Sequence, residues 1–527
     1  MAAERYTHDG FKLVKPVSIA LIHPPVAKPC EPPAGIARLA GALRAHEVGC
    51  TVIDANAQGL FHLLRNIAHP TDTWSRRAYR HLDRHMQSLR SLSTYTRSDA
   101  YRRAVADINR LLALPGQHQG IQASLSNYTD GSLSPVHSEH LLLAAEHPER
   151  NPFFEYYRDR LLPGLRESGA SVVGISITYL SQALCAFALI GMLKKVCAEV
   201  KIVIGGGLVT SWSGRPGWVE RFRGIVDRAV AGPGEAPLLE MAGYRPRTRG
   251  YRPDYDDLFN NAYLSPGSIL PFSASDGCWW RRCAFCPEHA ERRPFQPLPH
   301  KAAVLQLQEL TRRVRPTMIH LLDNALSPAL LKALTMTPPG APWYGFVRIG
   351  TLLDDPDFCG QLALSGCVML KIGLESGDQG VLDAMDKGIH LDMASRVLGH
   401  LKRAGIATYV YLLFGTPAED ESAALKTLDF TVRHHGCIDF LNLAIFNLPL
   451  GAPEARTLTL RSFYPGDLAL YSDFEHPLAW DRSAVRQFVE KRFKRHPAIQ
   501  PIIRRDPPFF TSNHAAFFTP GFHHGRR

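Results

Sequence analysis

The sequence has no apolar run of the length that a membrane span needs. Its opening residues, MAAERYTHDGFKLVKP, include no apolar segment of the kind that directs secretion. Its 10 cysteines are too few for a disulfide scaffold in a chain of 527 residues. The composition, 45% hydrophobic and 21% charged, is ordinary for a globular protein. We therefore expect a cytoplasmic protein of two or three domains with no membrane partner.

Long basic stretches are also missing, although the net charge is +11. The 60 Lys and Arg residues are spread along the chain and form only short groups, such as Arg292-Arg293 and Arg312–Arg315. Scattered charge of this kind predicts a basic surface that suits an anionic partner or cofactor. We do not expect a nucleic-acid partner.

Strand and helix patterns alternate in the first 250 residues. Strand patterns lie at 17–22, 50–54, 172–178, 201–205 and 226–231, and helical patterns at 35–46, 181–196 and 234–242. The alternation predicts an α/β domain over residues 1–250 with a doubly wound parallel sheet. Residues 56–165 are polar and mostly helical in pattern, so we expect an insertion between the second and third strands.

The alternation resumes after a Pro-rich linker at 245–255. Strand patterns lie at 270–275, 318–323, 343–348, 368–375, 407–415 and 440–447. Helical patterns follow the first five strands, at 300–313, 327–335, 356–364, 378–386 with 391–403, and 420–434. Six repeats predict a six-stranded partial (βα)6, TIM-like barrel over residues 251–460, followed by a C-terminal extension, 461–527. Ligands in such folds bind at the carboxyl ends of the strands.

Three cysteines lie close together directly after the first barrel strand, in the segment SDGCWWRRCAFCP. A loop that wraps around one point brings the sulfurs of Cys278, Cys283 and Cys286 together. One interpretation is a zinc site completed by His289 and His300, since zinc usually takes four ligands. Another is a cubane iron–sulfur cluster, in which three cysteines leave one iron open for a substrate. A purely structural role is the third.

This segment resembles the signature of the radical S-adenosylmethionine (SAM) superfamily, three cysteines in a C-x3-C-x2-C loop after the first strand of a partial barrel. The chain departs from it because four residues separate Cys278 from Cys283. The resemblance implies a [4Fe-4S] cluster held by Cys278, Cys283 and Cys286, with SAM as the second cofactor. It also implies that Phe285 lies near the adenine.

The resemblance extends to the other strand ends. Asp323 and Asn324 end the second strand, where the family hydrogen-bonds the methionine amino group. Arg348 ends the third strand and is expected to hold a carboxylate through a bidentate fork. Glu375, followed by Ser376, ends the fourth strand at a position suited to a ribose hydroxyl. Gly415 ends the fifth, where a glycine lets the backbone approach an adenine.

The N-terminal domain resembles the cobalamin-binding domain of one large radical SAM subclass. The matching residues, at its strand ends and turns, are Pro24, Pro25, Ser176, Thr178, Gly205, Gly206, Gly207, Gly234 and Glu235. Small residues at these ends suit a flat, bulky corrin. The Asp-x-His-x-x-Gly motif, which supplies a cobalt ligand in other cobalamin proteins, is missing, so we expect no histidine on the metal. The alternative is a degenerate flavodoxin-like domain.

These resemblances imply a cobalamin-dependent methyltransferase that acts on an unactivated carbon, or on phosphorus, of a small molecule or peptide. It would need an electron donor such as flavodoxin or ferredoxin. A second hypothesis is a cobalamin-associated enzyme that catalyses cyclisation, ring contraction or rearrangement without methyl transfer. A transfer-RNA methylthiotransferase would need three N-terminal cysteines, and Cys30 and Cys50 lie in the wrong context. A non-catalytic iron–sulfur redox sensor would not need the polar strand ends.

Overall fold

Two parallel sheets, one of five strands and one of six, dominate the protein. A computed structural model of the chain describes residues 17–246, 250–461, 465–507 and 514–518. Residues 1–16, in which we expect no secretory signal, lie outside the described residues, as do 508–513 and 519–527 of the extension. Among the residues described, no helix combines the length and the apolar character that crossing a membrane demands.

Five strands of the N-terminal unit form its parallel sheet. Seven strands precede the linker: β1 (Ser18–Ile22), β2 (Gly49–Ile53), β3 (Ile121–Ala123), β4 (Tyr128–Asp130), β5 (Val172–Ser176), β6 (Lys201–Gly205) and β7 (Arg228–Ala229). The parallel sheet has the order β2-β1-β5-β6-β7, and β3 and β4 form a separate hairpin. Strand β1 is buried on both faces, as a central parallel strand covered by helices requires.

Helices cover both faces of this sheet. They are α1 (Ala34–Arg44), α2 (Ala55–Arg65), α3 (Thr73–Arg80), α4 (Leu82–Leu89), α5 (Ser98–Leu112), α6 (Ser138–Glu146), α7 (Phe154–Tyr156), α8 (Leu162–Ser168), α9 (Leu180–Val196), α10 (Gly207–Trp212) and α11 (Glu235–Met241). Ile19 and Leu21 of β1 belong to the core that includes α1 and α11. Ala20 and Ile22 belong to the core that includes α9. The doubly wound fold is confirmed.

The segment between β2 and β5 is mostly helical, as the sequence predicts. It also contains the β3–β4 hairpin, whose three-residue strands are too short to show a strand period. The insertion joins the core on the α9 face of the sheet. Gly191 of α9 makes this contact close, because a Cβ there would lie 1.8 Å from the carbonyl oxygen of Ala145 in α6.

The second sheet is the partial barrel. Its segment contains β8 (Ile269–Phe272), β9 (Ser275–Asp276), β10 (Gln296–Pro297), β11 (Met318–Leu321), β12 (Trp343–Val347), β13 (Cys367–Glu375), β14 (Ala407–Phe414) and β15 (Phe440–Ile445). Six of these strands pair in parallel in the order β8-β11-β12-β13-β14-β15. The short strands β9 and β10 pair antiparallel beside the cysteine segment. All six predicted barrel strands are present.

Helices follow the barrel strands. They are α12 (Pro287–Ala290), α13 (His300–Val314), α14 (Pro328–Met336), α15 (Pro356–Leu364), α16 (Gln379–Ala384), α17 (Leu391–Arg403) and α18 (Glu421–Arg433). Several begin with an acidic N-cap that the sequence shows. Asp355 accepts from the amide of Asp357, and Asp420 accepts from that of Ala423. In α14, α15, α16 and α18 a side chain satisfies a free amide at the start of the helix, whereas α13 and α17 begin without a side-chain cap.

The chain after β15 packs at both ends of the barrel, with Trp480 bonded to Glu419 after β14 and Ala515 at the opposite end. The elements after β15 are β16 (Leu448–Pro449), β17 (Leu460–Arg461), β18 (Tyr471–Phe474), α19 (Arg482–Phe488) and α20 (Gln500–Arg505). Ala515 packs into the cluster of Met318, Tyr344, Met369, Tyr409 and Phe440 at the amino ends of the strands. The ring of Phe517 lies 5.1 Å from that of Tyr95 in the insertion.

An ion-pair cluster joins the N-terminal unit to the barrel. The guanidinium of Arg38 in α1 lies 2.6 Å from Glu235 and 2.6 Å from Asp276, two residues before the first cysteine. Arg44 of the same helix reaches Asp254 and Asp257 of the linker. The two sheets therefore meet at defined polar contacts. The division into domains at 250/251 and 460/461 stays a prediction.

Candidate active site

The cysteine loop begins at the carboxyl end of β8. Gly277 has φ +74°, and a Cβ there would lie 2.4 Å from the carbonyl oxygen of Pro294, so the turn into the loop needs a glycine. Cys278, Cys283 and Cys286 are all half-buried. Burial raises the pKa of Cys286, and the neighbouring Cys278 raises it further. The three cysteines therefore influence one another electrostatically within one loop, and their role as cluster ligands stays a prediction.

The extra residue between Cys278 and Cys283 is held by the loop after α16. Arg281 takes a left-handed conformation, φ +53°, which absorbs one additional residue in the turn. The indole of Trp280 donates to the carbonyl oxygen of Asp386 at 3.1 Å. The guanidinium carbon of Arg348 lies 3.6 Å from the centroid of the Trp280 ring. The longer spacing is thus accommodated by a docked tryptophan.

Two cations flank the cysteines. Burial raises the pKa of Cys283 to about 11, although Lys387 and Arg348 act in the opposite direction. Lys387 Nζ lies 2.8 Å from Glu375 Oε1 and 5.3 Å from the centroid of the Phe285 ring. A cluster bound through three thiolates carries negative charge, so buried cations beside it are favourable.

The donor set does not suit zinc. Among the described residues, no three or more His, Cys, Asp or Glu side chains are arranged to hold a single metal ion. His289 Nδ1 instead lies 3.2 Å from the carbonyl oxygen of Cys283, and His300 begins α13. A single zinc ion needs four converging ligands, whereas a four-iron cluster spaces its cysteines around a larger body. The loop fits the cluster.

Two of the predicted SAM ligands are already bonded within the protein. Asp323 accepts from the amide of Ala274 at 3.0 Å and from the hydroxyl of Ser275, so it supports the strand that leads into the cysteine loop. Arg348 donates to the carbonyl oxygens of Lys387 and Gly388. Their roles toward SAM stay predictions, and the contacts shown here are with the loops around the cysteines.

The remaining predicted SAM residues differ in their exposure. Asn324 is exposed and faces a cavity, whereas Ser376 is buried beside Thr427. Glu375 and Gly415 have positive φ values, +70° and +80°. Glu375 is held by Lys387 and partly exposed, so its carboxylate stays near the open end of the barrel.

Sequence reasoning missed Glu419, a buried acid after β14. Its carboxylate accepts from the amide of Gly415 and from the indole of Trp480 at 3.2 Å. Burial raises the pKa of Glu419 to about 7. The carboxylate holds the turn in which the predicted adenine contact lies. Its only sequence signal is an acid four residues after a glycine at a strand end.

A cavity of about 430 Å³ lies between the carboxyl edge of the N-terminal sheet and the cysteine loop. The predicted residues that line it are Ser176, Gly205, Gly206, Gly207, Gly234, Glu235 and Asn324. Its inner wall is apolar and includes Leu21, Ile36, Val203, Val230 and Leu238. Arg293 and Asp276 of the barrel side also face it. Among the described residues that line it, none is a histidine.

Three predicted residues lie outside this cavity. Gln182 connects them, because its amide donates to the carbonyl oxygen of Pro24 at 2.7 Å and its carbonyl accepts from the amide of Thr178 at 2.8 Å. Pro25 is buried in the same turn. Pro24 and Pro25 shape the loop after β1, and Thr178 shapes the loop after β5, instead of lining the cavity. Sequence reasoning missed Gly35, which lines the cavity from the first turn of α1.

Comparisons with known proteins agree with this geometry. Residues 272–431 match the model of the Radical SAM superfamily. Bacteriochlorophyllide d C-12(1)-methyltransferase of Chlorobaculum tepidum is 22% identical over 206 residues, 37% of this chain and 45% of that protein. The match thus spans less than half the length of that curated relative.

Two solved structures share the fold of almost the whole chain. The cobalamin-dependent S-adenosylmethionine radical enzyme OxsB, with aqua-cobalamin bound, has a TM-score of 0.58 at 12% identity, over 91% of this chain and 67% of OxsB. The radical S-adenosylmethionine methyltransferase TsrM of Kitasatospora setae has a TM-score of 0.52 at 13% identity, over 93% and 89%. Residues 272–431 therefore match the Radical SAM superfamily, and almost the whole chain shares the fold of these two solved structures.

Proposed function

We propose that this radical SAM enzyme is a cobalamin-dependent methyltransferase that acts on an unactivated carbon, or a phosphorus, of a small molecule or peptide. The observation that carries the proposal is the cavity between the glycine-rich sheet edge and the cysteine loop. The cavity opens toward both sites, so a group bound in it would face the barrel. The methyltransferase names of two similar proteins support the same assignment.

The barrel side supplies the radical chemistry. With its cofactors bound, it would cleave SAM by one electron to methionine and a 5′-deoxyadenosyl radical, which removes hydrogen from an unactivated C–H bond. Cys278, Cys283 and Cys286 would hold the cluster. Lys387 and Arg348 balance its charge and fix the loop around it. The sheet edge and the barrel lumen exclude water from the space between them.

The N-terminal side would hold cobalamin, which carries a methyl group when bound. Gly205 and Gly207 line the cavity, and a Cβ at either would only come into ordinary contact, at 3.6 Å, with Val230 or Thr178, so the sheet edge presents little side-chain bulk to a bound group. The apolar inner wall suits the aromatic base of the cofactor, and the polar mouth suits the corrin amides. No histidine is among the described residues that line the cavity, so the proposal includes no protein imidazole on the cobalt.

The outer side of the cysteine loop would receive the electron. Arg281 and Arg282 are exposed there, and Arg282 pairs with Asp386 at 3.2 Å. An acidic redox protein such as flavodoxin or ferredoxin has the complementary charge for this basic edge. We therefore propose a donor of that class as the partner.

The function is tested by closing the cavity without disturbing the fold. A Cβ at Gly35 meets only Ser176 Oγ, at 3.9 Å, so Gly35→Leu fills the cavity without a backbone clash. Gly206 is unsuitable, because its φ is +103° and a Cβ there would lie 2.5 Å from the carbonyl oxygen of Ile177. The matched control is Gly360→Leu in α15, where nothing lies within 4 Å.

After reconstitution with iron, sulfide and hydroxocobalamin, the wild type and Gly360→Leu should each hold about one corrin and about four irons per chain. Gly35→Leu should keep the iron and lose the corrin. With SAM and a reductant, S-adenosylhomocysteine and 5′-deoxyadenosine should both form. A wild type that takes up no corrin would refute the cobalamin assignment. Corrin uptake with 5′-deoxyadenosine alone would favour a cyclisation, ring contraction or rearrangement.

A further inference from the structure

A carboxylate, an imidazole and an amine meet inside the barrel lumen, away from the cysteine loop. Glu31 comes from the loop after β1, His320 from β11 and Lys371 from β13. Glu31 Oε1 lies 2.8 Å from His320 Nδ1, and Lys371 Nζ lies 3.2 Å from His320 Nε2. None of the three was predicted as a functional residue, and the proposed chemistry does not use them.

The direction of the hydrogen bonds follows from the groups. The pKa of Glu31 is below its usual range, because His320 and Lys371 outweigh the effect of burial, so it is an ionised acceptor. His320 therefore donates from Nδ1 to Glu31, and its Nε2 accepts from the ammonium of Lys371. The Lys371 ammonium also lies 5.0 Å from the ring centroids of Tyr344 and Phe346.

The N-terminal unit holds Glu31 in place. In the same loop, the amide of Val26 donates to Ser181, and the amide of Ala27 donates to Asn56 at 2.8 Å. The carbonyl oxygen of Pro29 accepts from Leu264 at 2.8 Å. Ser181 lies in α9, Asn56 in α2 and Leu264 in the segment before β8, and the first two tie the loop that carries Glu31 to the N-terminal unit.

Burying this ion pair has a cost that an apolar lumen would avoid. Lys371 is 2% exposed, and burial lowers its pKa to about 8, although Glu31 acts in the opposite direction. Lys28 and Cys30 of the same loop are the other titratable groups near it. Removal of either partner would leave an uncompensated charge in the lumen. A well-packed apolar residue would fill the space at lower cost, so the polar arrangement is best explained by register between two parts of the fold.

We propose that Glu31, His320 and Lys371 are positioning residues that fix the edge of the N-terminal sheet, with its cavity, over the cysteine loop. The proposal rests on the proposed function in one respect. If the enzyme transfers methyl groups, the contact keeps the cavity and the cysteine loop at the relative position that methyl transfer needs. The polar contact itself spans 289 residues of sequence and joins the loop after β1 to strand β11 of the barrel.

Hydrogen–deuterium exchange of the reconstituted protein tests the contact without reference to activity. The variants are Glu31→Gln, Lys371→Met and the double variant, and the control is Lys426→Met, which breaks a 2.7 Å ion pair with Asp378 within the barrel. Peptides that cover residues 24–33 should exchange about tenfold faster in each single variant. The double variant, which leaves no unpaired charge, should lie closer to the wild type. Wild-type exchange in both single variants would overturn the proposal.

Product ratios separate positioning from a general loss of structure. With SAM and titanium(III) citrate, the single variants should form 5′-deoxyadenosine at the wild-type rate per cluster, while S-adenosylhomocysteine falls severalfold. A parallel fall of both products would mean that the residues only stabilise the fold, which also overturns the proposal. If the wild type forms no S-adenosylhomocysteine but the exchange pattern is as expected, the positioning role stands and methyl transfer is refuted.

Discussion

The cysteine loop and the cavity opposite it are built on different physical principles. The loop is surrounded by charged side chains that are held by partners. Lys387 pairs with Glu375, and Arg348 donates to the carbonyl oxygens of Lys387 and Gly388. The cavity is shaped by missing side chains, at Gly205 and Gly207, over an apolar inner wall. A reactive cluster needs charge balance, whereas a bulky preformed cofactor needs space. The difference predicts that changes at one site leave occupancy of the other intact.

The largest expected effect is the loss of iron alone. Replacement of Cys278, Cys283 and Cys286 together by Ala should abolish the iron and sulfide of the reconstituted protein, because it removes all three thiolates that are proposed to hold the cluster. Corrin uptake should stay at the wild-type level. Replacement of Cys197 and Cys437, which are also half-buried, should change neither. Retention of iron by the triple variant would contradict the assignment.

The same contrast explains what the sequence could show. Three clustered cysteines and runs of small residues after strands are local patterns, so the loop and most of the cavity could be predicted from them. Arg38, Glu31 and Lys371 could not, because their partners lie far away in the sequence. Their contacts form only when the N-terminal unit packs against the barrel, so the sequence alone does not show them.

For the fold too, the sequence predicts the periodic elements but not the contacts of the aperiodic segments. All six barrel strands and the doubly wound sheet follow from periodicity, because each element buries one face or both. The C-terminal extension has no period, and it packs through single residues such as Ala515 and Phe517. Asp323 and Arg348 were assigned to SAM from their strand ends, and the structure shows what else they hold.

A second prediction concerns pH and the buried acid that holds the turn after β14. The pKa of Glu419 is raised by burial from 4.5 to about 7. Between these values the folded state binds more protons than the unfolded state, so stability falls as pH rises through this window. The shift corresponds to at most about 3 kcal/mol. Glu419→Gln keeps an acceptor for Gly415 and Trp480 and should show a flatter dependence in denaturant titrations at pH 5 and pH 8. An unchanged slope would contradict the buried carboxylate.

The smallest expected effect separates two roles of Arg348. If it mainly anchors the cysteine loop, Arg348→Ala and Trp280→Ala should act alike, since each removes one half of the same 3.6 Å stack. Each should destabilise the loop by about 1–3 kcal/mol, the range for a lost charged hydrogen bond or a buried ring contact, and speed the loss of iron to a chelator. SAM affinity per intact cluster should then change little. If Arg348→Ala weakens SAM binding while iron is retained and Trp280→Ala does not, the guanidinium holds the SAM carboxylate, as its strand-end position predicts. Iron-release rates and SAM titrations on the same anaerobic preparations decide between these two roles of Arg348. Loss of its contact with Trp280 changes the rate of iron release, whereas loss of its bond to the SAM carboxylate changes the affinity for SAM.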